Sequence, residues 1–348
     1  MSWGWWIGLG LVVAVLVACA PGGGSAPAGA SAAQAPVAEA GAAPAPERVV
    51  LALPVVSGVF VPHVLAQRQG FFRAEGLEVE LPVMRTNLVI AALSSGEADY
   101  NGMFSPTVRA ILSGVPQRVL AAVVDKSTRQ LVAVPGIQTV EQLRGKAIAV
   151  TQIGGGPYNS GVLAIEHAGL DPQTDVTWLA IGGTTERLLA MQQGAAQASI
   201  FSGSEILRAE ALGFVSLLRL DEVAPLPESG LATSEQKLAM QREQVKRMLR
   251  ALVRALQYIK RDREGSLPVF MEFLSLSREE AEQAYAAMVP AYSDDGTVSE
   301  RALRFTIEAE KKDLKLTADV PADRVADFGP LYEVLGELGL TPAAGRAR

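Results

Sequence analysis

The feature that most restricts this chain is a recurring order: a short apolar, β-branched run, then a longer helix-periodic stretch that stops at a glycine. Strands are expected at 48–55, 77–84, 99–103, 118–124, 130–135, 146–151, 176–181, 195–202 and 214–220. Helices are expected between them, for example 61–76, 87–97, 106–114, 140–145 and 184–194, with Gly76, Gly96, Gly114, Gly145, Gly169 and Gly194 as stops. Strands alternating with helices imply sheets covered on both faces. The expected class is therefore α/β with mixed, mostly parallel sheets. After residue 224 the pattern is helical only. Val245, Met248, Leu249, Leu252, Val253, Leu256 and Ile259 form one apolar stripe within 234–262, while Ser277 with Glu280, and Ser299, are helix-capping residues.

The amino terminus reads differently. Residues 7–18, IGLGLVVAVLVA, are apolar but short for a membrane span and end at Cys19, the only cysteine of the 348-residue chain. LVAC (16–19) resembles a bacterial lipobox, although no Lys or Arg precedes the apolar run. Residues 1–19 are expected to be a lipoprotein export signal with Cys19 lipidated, and the Ala/Gly/Pro stretch 20–46 a flexible tether. One cysteine excludes a disulfide scaffold, and a net charge of -6 without basic blocks argues against nucleic acid.

TQIGGGPYNSG (151–161) joins an expected strand to an expected helix. Glycines there let a ligand approach backbone N–H groups at a helix start. No Gly-Lys-Ser/Thr follows, and Gly154, Gly156 and Asn159 miss the third glycine of a dinucleotide fingerprint, so nucleotide loops are excluded. In parallel sheets ligands gather at the carboxyl ends of strands. The candidate ligand-binding residues are accordingly Ser57, Gly58, Phe60, Arg85, Asn87, Asn101, Phe104, Ser105, Gln152, Gly154, Gly155, Gly156, Tyr158, Asn159, Gly183, Thr184, Phe201 and Ser202. Phe60, Phe104, Tyr158 and Phe201 are offered as flat walls, and Arg85 is the only cation in these loops. His63 is left open between a cleft role and packing, His167 reads as a residue at a helix end, and no metal or cofactor is expected.

Six phrases, RQGFFRAEGLEVEL, ALSSGEADYNGM, AILSGVPQRVLAAV, IQTVEQLRGKAIAVTQIGG, HAGLDPQTDVTWL and AMQQGAAQASI, occur in an order that resembles the solute-binding proteins of ABC importers. The branch resembled includes binders of aliphatic sulfonates, taurine, nitrate and thiamine-pyrimidine precursors. The resemblance implies a type II periplasmic-binding fold, with one lobe from 47–130 and 222–348, a second from 131–221, and hinges near 126–134 and 218–226. It further implies an exported monomer that traps a small organic solute between its lobes. The solute would pass to an ABC permease at the outer face of the cytoplasmic membrane or in the periplasm, with no chemistry.

An enzyme on the same scaffold, acting on a pyrimidine-like substrate, is the competing reading. The related synthases depend on a cysteine-rich motif that the body of this chain lacks. An extracytoplasmic sensor using the same trap is a third.

Overall fold

The computed structural model describes residues 45–347. Cys19, the export segment and all but the last two residues of the tether lie outside the described residues. The chain runs β1 (Glu47–Ala52), α1 (Val61–Arg68), α2 (Phe71–Ala74), β2 (Leu77–Glu80), α3 (Thr86–Ser95), β3 (Tyr100–Met103), α4 (Ser105–Leu112) and β4 (Gln117–Val124). It then crosses into β5 (Arg129–Ala133), β6 (Lys146–Val150), α5 (Gly156–His167), β7 (Val176–Ala180), α6 (Thr184–Gln192), β8 (Ala198–Ser202), α7 (Ser204–Ala211), β9 (Val215–Arg219) and α8 (Leu220–Val223). A second crossing returns it to β10 (Ser229–Ser234), followed by α9 (Glu235–Met240), α10 (Arg242–Arg261), α11 (Arg263–Leu274), α12 (Arg278–Met288), α13 (Glu300–Leu314), α14 (Ala322–Val325) and α15 (Gly329–Glu337).

These strands form two five-stranded sheets, ordered β2-β1-β3-β10-β4 and β7-β6-β8-β5-β9. In the first, β1 pairs parallel with β2 and β3, while β10 is antiparallel to β3 and β4. In the second, β6 pairs parallel with β7 and β8, while β5 is antiparallel to β8 and β9. The antiparallel ladders all involve β5 or β10, the strands that receive the two crossings. This is an α/β fold of the type II periplasmic-binding kind.

One strand was hidden in the sequence. The chain after residue 224 is not helical throughout, because SGLATS (229–234) forms β10 in the interior of the first sheet. Its Gly, Ala, Ser and Thr side chains are small because the space is small: a Cβ on Gly230 would stand 2.4 Å from the carbonyl oxygen of Ala121. Likewise 234–262 is two helices, with Gln241 between α9 and α10; Ser234 caps the first by accepting from the Lys237 backbone N–H. Ser277 and Glu280 form the reciprocal capping box, and Ser299 accepts from the Ala302 N–H.

The main core lies beneath the first sheet, where α1, α10 and α11 pack, and the seven stripe residues of α10 are no more than 2% exposed. Burying such a face, at about 25 cal/mol per Å², outweighs the weak helical preference of its sequence. Separate cores cover the two faces of the second sheet. Among the described residues, no helix is long and apolar enough to cross a membrane.

Candidate functional site

Strand directions dictate where the tips meet. β10 is antiparallel to β3 and β4, so the first crossing leaves and the second returns at the edge that holds the carboxyl ends of β1, β2 and β3. β5 begins, and β9 ends, at the edge that holds the carboxyl ends of β6, β7 and β8. The crossings therefore join the two tip edges and turn them toward one crevice. Direct contact confirms this juxtaposition. Atoms of Met288 stand 3.2 Å from where a Cβ of Gly58 would lie and 3.0 Å from that of Gly203, one glycine from each sheet's tips.

A single carboxylate ties the crossings together. Glu228, on the returning segment, accepts from Ser127 Oγ at 2.8 Å, the Thr128 backbone N–H at 2.7 Å and Thr128 Oγ1 at 2.9 Å on the outgoing one. Its side chain is wholly buried, and its own backbone N–H donates to the Val124 carbonyl. Ser105 Oγ donates to the carbonyl of Pro227, so the start of α4 holds the same segment.

Arg129 follows directly. One guanidinium nitrogen is 3.4 Å from Glu228, and another stands 3.0 Å from where a Cβ of Gly156 would lie, beside the first turn of α5. Its side chain is mostly buried at 19% exposure and makes, among the described residues, an ion pair but no hydrogen bond. The N-cap of α5, Gly155, has no capping side chain. A guanidinium with unused donors and a helix start with orphaned N–H groups thus lie side by side, and both favour a negative or strongly accepting group.

The expected site residues fall into three groups. Arg85, Asn87, Gln152, Gly154, Gly156 and Gly183 are exposed at the tips, with Ser57, Gly58, Ser105 and Gly155 half-buried among them. Gly154 has φ 75°, which a side chain would strain. A second group is at the tips but already engaged. Thr184 Oγ1 donates to Glu205, and Ser202 donates to it through its backbone N–H at 2.9 Å and Oγ at 3.3 Å, so the hydroxyls expected to face a ligand instead join the β7 and β8 tips. Asn159 closes the first turn of α5 onto the Gly155 carbonyl, while its Oδ1 has no partner.

The third group is interior. Phe60, Phe104 and Phe201 are 3%, 0% and 0% exposed and belong to the cores, where Phe201 carries the Arg187 guanidinium 4.7 Å from its ring centre. They stand behind the tips and present no flat wall. Tyr158 turns along the sheet edge to pack edge-on against Trp178, 5.0 Å between ring centres. Asn101 is wholly buried, its Oδ1 accepting from the Met103 N–H and Thr107 Oγ1 and so fixing the β3–α4 turn. His63 is also interior, its Nε2 donating to the Gly230 carbonyl at 2.8 Å; loss of hydration holds its pKa down at about 4. The apolar surface at the tips is aliphatic instead: Val55, Val56, Val83, Leu88 and Ile153 are each 47–55% exposed.

Sequence reading missed Arg129, Glu228, Glu205 and Met288. Arg129 sits in KSTRQ, within the expected hinge, and only the pairing of β5 with β8 shows that this crossing brings a cation beside the glycine loop.

A family model described as NMT1/THI5 like matches residues 57–265. The chain belongs to the NMT1/THI5-like family. The matched region of this NMT1/THI5-like protein contains both crossings, Arg129 and the strand tips from Ser57 onward. Over 218 residues it is 26% identical to the riboflavin-binding protein RibY of Chloroflexus aurantiacus, an alignment covering 60% of this chain and 62% of RibY. Its fold is that of the periplasmic aliphatic sulphonate-binding protein SsuA of Escherichia coli, at 16% identity and TM-score 0.69, covering 81% and 92% of the two chains. It is also that of the desulfurization enzyme DszB, at 14% identity and TM-score 0.63, covering 84% and 99%.

Proposed function

We propose that this NMT1/THI5-like protein is the lipid-anchored solute-binding component of an ABC importer. It traps a small organic solute between its two lobes by hinge closure and delivers it unchanged to a permease. The observation that carries the reading is the meeting of Arg129 with the α5 start across from the tips of the first sheet. That subsite suits an acidic or strongly polar head, while Val55, Val56, Val83, Leu88 and Ile153 suit an apolar, flat body. Riboflavin, its phosphate ester and aryl or alkyl sulfonates are the first solutes to try, given what RibY and SsuA bind. The proposed lobes are 47–130 with 222–348, and 131–221, boundaries that cut β5 (Arg129–Ala133) and α8 (Leu220–Val223) beside the crossings.

The test is a thermal-shift and calorimetric screen of those solutes. A true ligand at a hundredfold excess over its Kd adds about 2.7 kcal/mol of stability. Gly155→Trp and Arg129→Ala each remove that gain without unfolding the protein, and the solute is recovered chemically intact. Turnover of a bound solute, or undiminished affinity in both variants, would refute the reading.

A further inference from the structure

The crevice continues past Arg129. A cavity of about 440 Å³ runs from Arg129 and Gln130 at the start of β5, past Gly203 and Arg219 on the same sheet edge, to the end of α12 and the turn after it. It is one arm of the crevice that holds the Arg129 subsite, bounded by Ile206 of α7 in one lobe and by Ala287 and Pro290 in the other. Clefts of about 300–1,000 Å³ enclose drug-sized molecules, so a small oxyanion or a short sulfonate would leave most of this arm to water.

The arm adds room to the subsite, not charge. Arg219 is engaged by Asp221 at 3.0 and 3.3 Å and lies 3.6 Å from Glu222, Arg129 is 3.4 Å from Glu228, and Lys126 is within electrostatic reach of Asp125 and Asp294. What is left to recognise the body of a solute is the apolar wall.

That wall departs from the helix it ends. α12 begins charged, with Arg278, Glu279 and Glu280 exposed, as solvent-facing helix positions usually are. Where it reaches the cavity the exposed residues are Ala286, Ala287 and Pro290, and no charged residue occurs between Glu282 and Asp294. Their small side chains leave open the space that a Glu, Gln or Lys would fill. Met288 fixes the wall in place, since its atoms stand 3.2 Å from the Cβ position of Gly58 and 3.0 Å from that of Gly203, seating the end of α12 against the tips of both lobes. Val55 and Val56 precede Gly58 in one loop, so the aliphatic tips adjoin this wall. α12 lies beyond the residues 57–265 that the family model matches, and the wall is therefore outside what that match describes.

We propose that Ala287 and Pro290, with the end of α12 that carries them, are the specificity-determining wall of the crevice. They select an organic acid whose uncharged body spans two or more rings, and they leave small oxyanions and short sulfonates poorly held. The inference rests on the solute capture proposed above and adds the size class of the solute.

Two graded pairs of probes test it, methanesulfonate with naphthalene-2-sulfonate and phenyl phosphate with riboflavin 5′-phosphate, each titrated calorimetrically into the full chain. In at least one pair the larger member should bind at least tenfold tighter. Ala287→Trp, at an exposed position, should weaken the larger member at least tenfold and leave the smaller within about threefold, with Ala287→Leu falling between. Arg129→Ala should weaken both members, and thermal unfolding of the free Ala287 variants should match the parent. A smaller probe bound as tightly as its larger partner, a preference that survives Ala287→Trp, or binding of neither larger probe would overturn the wall. Solute capture itself falls only if Arg129→Ala is also without effect on whatever solute the wider screen identifies.

Discussion

Replacing Glu228 by alanine should be among the most damaging single changes in the protein. The carboxylate is wholly buried and receives three hydrogen bonds of 2.7–2.9 Å, with Arg129 at 3.4 Å. Hydrogen bonds to a charged group contribute about 1.5–3 kcal/mol each, but they are not additive here, since the two hydroxyls can turn to other partners. The half-buried Thr128 N–H and the mostly buried Arg129 guanidinium lose their partner without a replacement beside them. Losing one partner of a buried charged network costs about 3–5 kcal/mol, even after the relief of no longer desolvating the carboxylate. Glu228→Gln keeps the shape and an acceptor, so about 1–2 kcal/mol is expected. Urea unfolding followed by circular dichroism measures both, and an unchanged m value assigns the loss to the native state. A Glu228→Ala chain within 1 kcal/mol of the parent would refute the claim that this carboxylate binds the crossings together.

Three other outcomes follow from the same geometry. His63 is held at about pKa 4 in the fold against 6.5 unfolded, so its contribution is complete above pH 6.5 and is lost as pH falls toward 4, about 3 kcal/mol in all. Glu310, buried beside Arg109 and raised to about 7, works oppositely, contributing fully below 4.5 and losing that contribution as pH rises through 7. The parent should therefore change little in stability between pH 4.5 and 6.5 on their account; Glu310→Gln should gain stability with rising pH and His63→Phe should lose it, as denaturation series would show. Gly230→Ala, with its Cβ 2.4 Å from the Ala121 carbonyl, should cost about 3 kcal/mol or more, and a stable, unshifted variant would mean that β10 is misplaced. Cys19→Ser should free the protein from membranes in fractionation, whereas continued membrane retention would remove the anchor.

The parts of the fold readable in advance were those in which one residue type has one physical use. Glycines stopping helices, capping serines and the α10 stripe all met their expected partners. β10 escaped because its residues are chosen for close approach to β3 and β4, not for β preference, and a strand made of Ser, Gly, Ala and Thr has no apolar period. The site was readable as a set of loops but not as a set of facing side chains. Phe60, Phe104 and Phe201 stand near strand ends in the sequence, yet large rings there gain more by burial in the cores than at the tips. Thr184 and Ser202 look free in the sequence because Glu205, their common partner, follows the β8 tip on α7 and signals nothing by itself.

The most direct measurement is the separation of the two lobes as solute is added, using labels at Ser94 and Gln192 in the Cys19→Ser chain. With a solute that the thermal screen identifies, the distance should shorten at saturation, and Arg129→Ala should raise the concentration needed about tenfold or more. A distance that stays constant while the solute binds stoichiometrically would contradict capture between the lobes.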